Sequence, residues 1–201
     1  QKLNQLQRGF AGIMQEKMEA MWAAKLGLSN FNAALFKELE KLMLETPVDY
    51  TIFFRELSTV PDDIEPLKKS FYQGSNYAMT SMDSEYKADP EGMDRRWSAW
   101  LSKWRLLNAT IPDANTKKPC SREQLSQQMK LINPQNRWRE WLVVPAYQQA
   151  STGDYTLTRE LQRVLTRPYE SVSEDMAEKY YGLKPAEFFE VGGLSHYSCS
   201  S

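Results

Sequence analysis

Cys199, two residues before Ser201, is the side chain of this sequence best placed to do chemistry. A thiol so near a chain end cannot be anchored on both sides. The run before it, Gly192-Gly193-Leu194-Ser195-His196-Tyr197-Ser198, is small and polar, so a mobile and reachable tail is expected. A reachable thiolate can exchange with disulfides, be oxidised, or sit idle in solvent, and spacing does not choose among these. His196, the one histidine of the chain, stands three residues earlier. One histidine and two cysteines fall short of a zinc site. A Cys–His nucleophilic pair needs its members locked on rigid elements, whereas these two share one loose tail. The second thiol, Cys120, follows Pro119 in a turn-rich loop.

Composition limits what such a thiol can serve. The chain has 201 residues, 41% of them hydrophobic and 12% aromatic, enough for one sizeable core or two small ones. Its 25 Lys and Arg balance 26 Asp and Glu for a net charge of -1, and their scatter leaves no basic field for a nucleic acid. Two cysteines are too few for a disulfide framework, so a reducing compartment is expected. Gln1 opens the sequence with no basic-then-apolar secretory pattern, and no window reaches the roughly 18 apolar residues of a membrane span. The expectation is a soluble protein with neither nucleic acid nor membrane as partner.

The elements that would position these residues read as helices throughout. Leu3, Leu6, Phe10, Ile13, Met14, Met18, Met21 and Trp22 recur at steps of three and four, one stripe of a long amphipathic helix that Lys25-Leu26-Gly27-Leu28 stops. Asn30 is expected to cap a second helix carrying Phe31, Leu35, Leu39, Leu42 and Met43. Thr46-Pro47 is expected to open a third with Tyr50, Phe53, Phe54 and Leu57, ending before Val60-Pro61-Asp62-Asp63. Residues 65–91 read as a weak helix followed by a surface insertion, with helical signal restarting at Asp89-Pro90. Trp97, Trp100, Leu101, Trp104 and Leu107 then form an apolar face that reads as core rather than as a stacking platform. Ser121 and Gln124 predict a capping box ahead of Leu125 and Met129. Asn133-Pro134 is expected to end that helix and begin another with Trp138, Trp141 and Leu142, kinked at Pro145. A further helix holds Leu157, Leu161, Val164 and Leu165 and stops at Arg167-Pro168-Tyr169. From Glu170 the tail reads as polar, then aromatic at Tyr180, Tyr181, Phe188 and Phe189. The charged clusters Glu38 to Lys41 and Asp94-Arg95-Arg96 read as solvated helix faces.

Several short blocks, in order, resemble the carboxyl-terminal portion of the selenoprotein O family. They are Lys25-Leu26-Gly27-Leu28, the Asp49 to Ser58 run, Trp97 to Leu107, Asn133-Pro134 with Arg139 and Leu142, Gly153-Asp154-Tyr155, Arg167-Pro168-Tyr169, and Cys199-Ser200-Ser201. The resemblance implies a fold similar to protein kinases and the transfer of AMP from ATP, with magnesium, onto Ser, Thr or Tyr hydroxyls of protein substrates. In relatives the antepenultimate position carries selenocysteine or cysteine, which implies a redox role for Cys199. It also implies that the nucleotide-binding lysine, its partner acid, the catalytic-loop aspartate and the metal-binding aspartate lie upstream, since none of those motifs occurs in residues 1–201. Glu140, Pro145 and the run Ser75 to Glu91 depart from the family pattern.

On this basis the chain is expected to be an all-α lobe over residues 1–169, with a surface insertion at 75–92 and a tail over 170–201 ending in Cys-Ser-Ser. Its catalytic, cofactor and metal residues are expected outside it, and Cys199 is its one redox candidate. The partners implied are the upstream kinase-like core of the same protein and protein substrates. The compartment implied is a mitochondrion or, as the alternative, the bacterial cytoplasm. A disulfide partner for Cys199 is implied upstream, with Cys120 as the internal alternative. The rival reading is a non-catalytic helical interaction module, with the tryptophan helix as its docking face.

Overall fold

The fold comes from a computed structural model that describes residues 2–72, 88–109 and 120–189, with side chains from Gly9 onward. Helix α1 spans Lys2–Lys25, α2 Ala33–Glu45, α3 Tyr50–Leu57 and α4 Glu65–Lys68. After the first undescribed segment come α5 at Pro90–Ala109, α6 at Arg122–Ile132, α7 at Glu140–Ser151, α8 at Thr156–Leu165 and α9 at Glu174–Tyr180, then a short 3-10 turn at Ala186–Phe188. Among the described residues there is no strand, only an isolated antiparallel bridge between Val48 and Phe71. The described chain is therefore all-helical. No described helix is long and apolar enough to cross a membrane.

Local chemistry explains where the helices begin and end. Gly27, at φ +66, closes α1: Leu28 N–H donates to the Ala23 carbonyl and Gly27 N–H to that of Ala24, which satisfies two carbonyls that the helix end would otherwise leave bare. A Cβ at Gly27 would also lie 2.7 Å from Leu125 Cδ1 and 2.8 Å from Met129 Sδ, so α6 can approach only a glycine.

Two expected helix starts are corrected. Asn32, not Asn30, caps α2, its Oδ1 accepting from Leu35 N–H at 2.9 Å. Phe31 thus lies before the helix and packs on Phe36, with ring centroids 5.4 Å apart, stapling the entry of the chain. Asp49, not Thr46, caps α3 by accepting from Ile52 N–H at 2.9 Å. The capping box of Ser121 and Gln124 forms as expected.

Two apolar cores result. The larger gathers Leu26, Leu39, Phe53, Phe54, Leu57, Leu67, Met129 and the α5 face of Trp97, Trp100, Leu101 and Trp104. Each of the three α5 indoles finds a buried acceptor: Thr46 Oγ1 for Trp97, and the Leu35 and Leu26 carbonyls for Trp100 and Trp104. The smaller core joins Leu142 and Ala146 of α7, Leu161 and Val164 of α8 and Tyr180 of α9.

One further expectation is corrected. The α7 helix starts at Glu140, so residues 133–139 are a connecting loop and Trp138 stands more than half exposed on it rather than on a helix. Pro145 lies within α7, which continues to Ser151. The helical part of 65–72 is only the single turn of α4. Residues 170–189 add an unexpected helix, α9, whose Met176 and Tyr180 pack on the smaller core. Of the expected insertion, residues 75–87 lie outside the described residues, while Pro90–Gly92 form the first turn of α5, with Asp89 Oδ1 accepting from Gly92 N–H at 2.9 Å.

Candidate functional site

Helix α3 is short and apolar, yet its last turn carries two adjacent ionisable residues, Arg55 and Glu56, that the fold buries. A buried charge is tolerated only when other groups replace its water. For Arg55 these are four acceptors. Its Nη1 donates to the Lys130 and Asn133 carbonyls, each at 3.1 Å, and its Nη2 to Gln135 Oε1 at 3.4 Å and Ser171 Oγ at 3.3 Å. Two of the four are carbonyls at the carboxyl end of α6, where the helix dipole is negative. Burial pulls the guanidinium below its ordinary value, while Tyr181 and Glu56 oppose that.

Asn133 is the complementary piece. It is fully buried, and its side chain uses both ends. Nδ2 donates to the Lys25 carbonyl at 2.8 Å and to Ser58 Oγ at 3.0 Å, while Oδ1 accepts from Lys25 Nζ at 2.9 Å. Lys25 Nζ also lies 4.6 Å from the Phe54 ring centroid. Burial first, and then the nearby charge of Arg137, lowers the Lys25 ammonium below the usual lysine range.

On the other side of α3, Glu56 accepts from the Tyr181 hydroxyl at 3.0 Å and from Lys69 Nζ at 3.2 Å. Burial, reinforced by the charge of Glu56 and the hydrogen bond to it, holds the Tyr181 phenol far above the ordinary tyrosine range. At the start of α3, Arg139 grips both carboxylate oxygens of Asp49, the same side chain that caps the helix. The 133–139 loop is fastened in turn to the turn after α8, because Gln135 N–H and Asn136 N–H both donate to the Pro168 carbonyl, at 2.8 and 3.0 Å.

Four of the blocks quoted above thus meet at one place: Lys25–Leu28, Asp49–Ser58, Asn133-Pro134 with Arg139, and Arg167–Tyr169. The polar cluster they build joins the larger core to the smaller one. Its donors and acceptors bind one another, which suits positioning rather than proton transfer. Among the described residues no group of three or more His, Cys, Asp or Glu could hold a metal ion, so the residues described do not fit a magnesium site. Cys199 and His196 lie outside the described residues. Cys120 is half-buried against the larger core, with its Sγ 3.9 Å from Gln124 Oε1.

The roles of Arg55, Glu56, Asn133 and Tyr181 were not read from the sequence. The available signal was a pair of opposite charges inside Phe53-Phe54-Arg55-Glu56-Leu57, where apolar neighbours on both sides leave no solvated face.

Residues 1–166 match the family model described as protein adenylyltransferase SelO. The chain belongs to the SelO family. It is similar to the protein nucleotidyltransferase YdiU of Aromatoleum aromaticum, 29% identical over 200 residues that cover 96% of this chain and 34% of that protein. The YdiU of Flavobacterium johnsoniae is 30% identical over 191 residues, covering 90% and 32%, and that of Vibrio parahaemolyticus 29% over 202 residues, covering 99% and 36%. The chain therefore spans about one third of the length of these SelO-family relatives.

Proposed function

We propose that this chain is the distal part of a protein adenylyltransferase whose kinase-like catalytic core lies upstream in the same polypeptide. In the reaction a Ser, Thr or Tyr hydroxyl of a protein substrate attacks the α-phosphorus of ATP, the bond to the β-phosphate breaks, and pyrophosphate leaves as the hydroxyl proton is taken up by a base. ATP and magnesium are assigned to the upstream portion. The observation that carries this reading is the family match over residues 1–166. The sequence agrees with the division, for it has neither a glycine-rich phosphate loop nor the acidic motifs that would clamp a metal and position a base. The polar cluster around Arg55 and Asn133 gives the helical part a rigid form from which to buttress that core.

The redox role of Cys199 belongs to the same proposal. A tail thiolate attacks a disulfide, displaces one of its sulfurs as a thiolate, and leaves a mixed disulfide that a cysteine upstream can resolve. The bacterial origin of the named relatives favours a bacterial cytoplasm over a mitochondrion.

The test is labelling with ATP carrying a marked α-phosphate, in magnesium, with an acceptor protein. The longer protein is expected to transfer the label and the 201-residue chain to transfer none. Robust labelling by the 201-residue chain alone overturns the division. A longer protein that transfers nothing yet binds a partner through its helices supports the interaction-module reading instead.

A further inference from the structure

We propose that the exposed apolar face of α1 is the seat on which the upstream portion of the same polypeptide packs. This rests on the reading of the chain as the distal part of a longer enzyme.

The face is a continuation of the larger core. At the carboxyl end of α1, Ala23 and Leu26 are buried, and Trp22 packs on Phe36 and Phe54 with ring centroids 4.6 and 5.8 Å away. The same stripe runs back at steps of three and four through Met21, Met18, Met14, Ile13 and Phe10, and there it is uncovered, with exposures of 45% at Met21 rising to 66% at Phe10. Among the described residues, a Cβ built at Gly9 or Gly12 meets no atom within 4 Å. Between the stripe and Phe31 and Phe36 lies an open groove of about 660 Å³.

An isolated helical stretch of this length is marginal in water unless its apolar face is buried. A contiguous apolar patch of this kind marks a contact surface. Methionines at 14, 18 and 21 suit a packed interface, because the unbranched thioether fills irregular gaps.

The occupant follows from length and from continuity. The chain covers 34%, 32% and 36% of three relatives, so about two thirds of such a protein lies outside it. That remainder is tethered to α1, and packing it there loses none of the translational freedom that a second molecule would lose. Because the stripe passes unbroken into the larger core, covering it extends that core rather than adding a separate contact. A second copy of the chain is the rival occupant.

The test places a thiol on the face. Met14→Cys and Met18→Cys, each made separately in the 201-residue chain and in the longer protein, are treated with iodoacetamide, and modification at the new cysteine is followed by peptide mass spectrometry. Both positions are expected to react freely in the 201-residue chain and at least tenfold more slowly in the longer protein, at every protein concentration. Equal rates in the two proteins overturn the proposal, as does protection in the 201-residue chain that grows with its concentration, the mark of a second copy. Transfer of AMP by the longer protein is assayed in parallel. Protected thiols in a protein without transferase activity would retain the docking face and remove the enzymatic reading. Free thiols in an active enzyme would remove the docking face alone.

Discussion

Arg55, Asn133 and Tyr181 show how single side chains fix a fold whose helices are mostly short. Arg55 and Asn133 are buried and Tyr181 is half-buried, each bonds to groups more than 70 positions away, and each closes a contact that apolar packing would leave imprecise. A buried polar network of this kind is stable only while every member keeps its partner. Tyr181 offers the cleanest test. Its proton is retained in the folded protein at a pH where the unfolded chain, with a phenol near about 10, has lost it. The folded state then binds more protons than the unfolded one, so this contribution is whole below about pH 10 and falls as pH rises above it. Lys25 acts in the opposite sense below its ordinary value, because there the unfolded chain holds the extra proton. A comparison of wild type with Tyr181→Phe isolates the phenol. Urea unfolding at neutral pH is expected to show the variant about 1–3 kcal/mol less stable, since Glu56 loses a buried donor, and the gap is expected to narrow steadily from pH 9.5 to 11. A gap independent of pH would mean that the phenol does not titrate with unfolding.

The α5 helix presents one face of Trp97, Trp100, Leu101 and Trp104 to the larger core, with Phe53 and Phe71 against its rings. Trp100→Ala is expected to cost about 3–5 kcal/mol through the cavity it leaves, read as a lower midpoint in thermal or urea unfolding. Unchanged stability with loss of a binding partner would instead make this face a docking surface. This helix was legible in the sequence because four large apolar residues repeat at helical spacing. So was the box at Ser121 and Gln124, because both of its bonds are local. The starts of α2 and α3 were less legible. Asn30 and Asn32 are chemically equivalent caps, and only the extended backbone of Asn32, at φ -110, decides between them. Trp138 was misplaced for a related reason. The loop that carries it has no period of its own and takes its path from the distant carbonyl of Pro168. Cys199, the first candidate in the sequence, lies outside the described residues, and the site found in its place is built from residues whose partners are far away in the chain.

At the scale of the molecule, two helical cores meet through the polar cluster, and the larger of them runs out along α1 to a face that the described residues leave open. The bonds across the seam also carry a consequence for the order in which the chain becomes structured. Lys25 reaches Asn133 across 108 positions, Arg55 reaches Ser171 across 116, and Glu56 reaches Tyr181 across 125. Contacts of such separation close large loops and form late, whereas α2, α3, α5 and α6 can assemble the larger core from residues that end at Met129. A chain emerging from the ribosome therefore holds Arg55 and Glu56 beside a nearly complete core while Ser171 and Tyr181 are still unsynthesised. In refolding from urea, pulsed hydrogen exchange is expected to show the amides around Trp100 protected before those of Gln135 and Asn136. Simultaneous protection would make the two cores a single folding unit. With the expected order, the half-built protein spends its early life with two charges waiting in a nearly apolar wall, the stage at which a chaperone would find it.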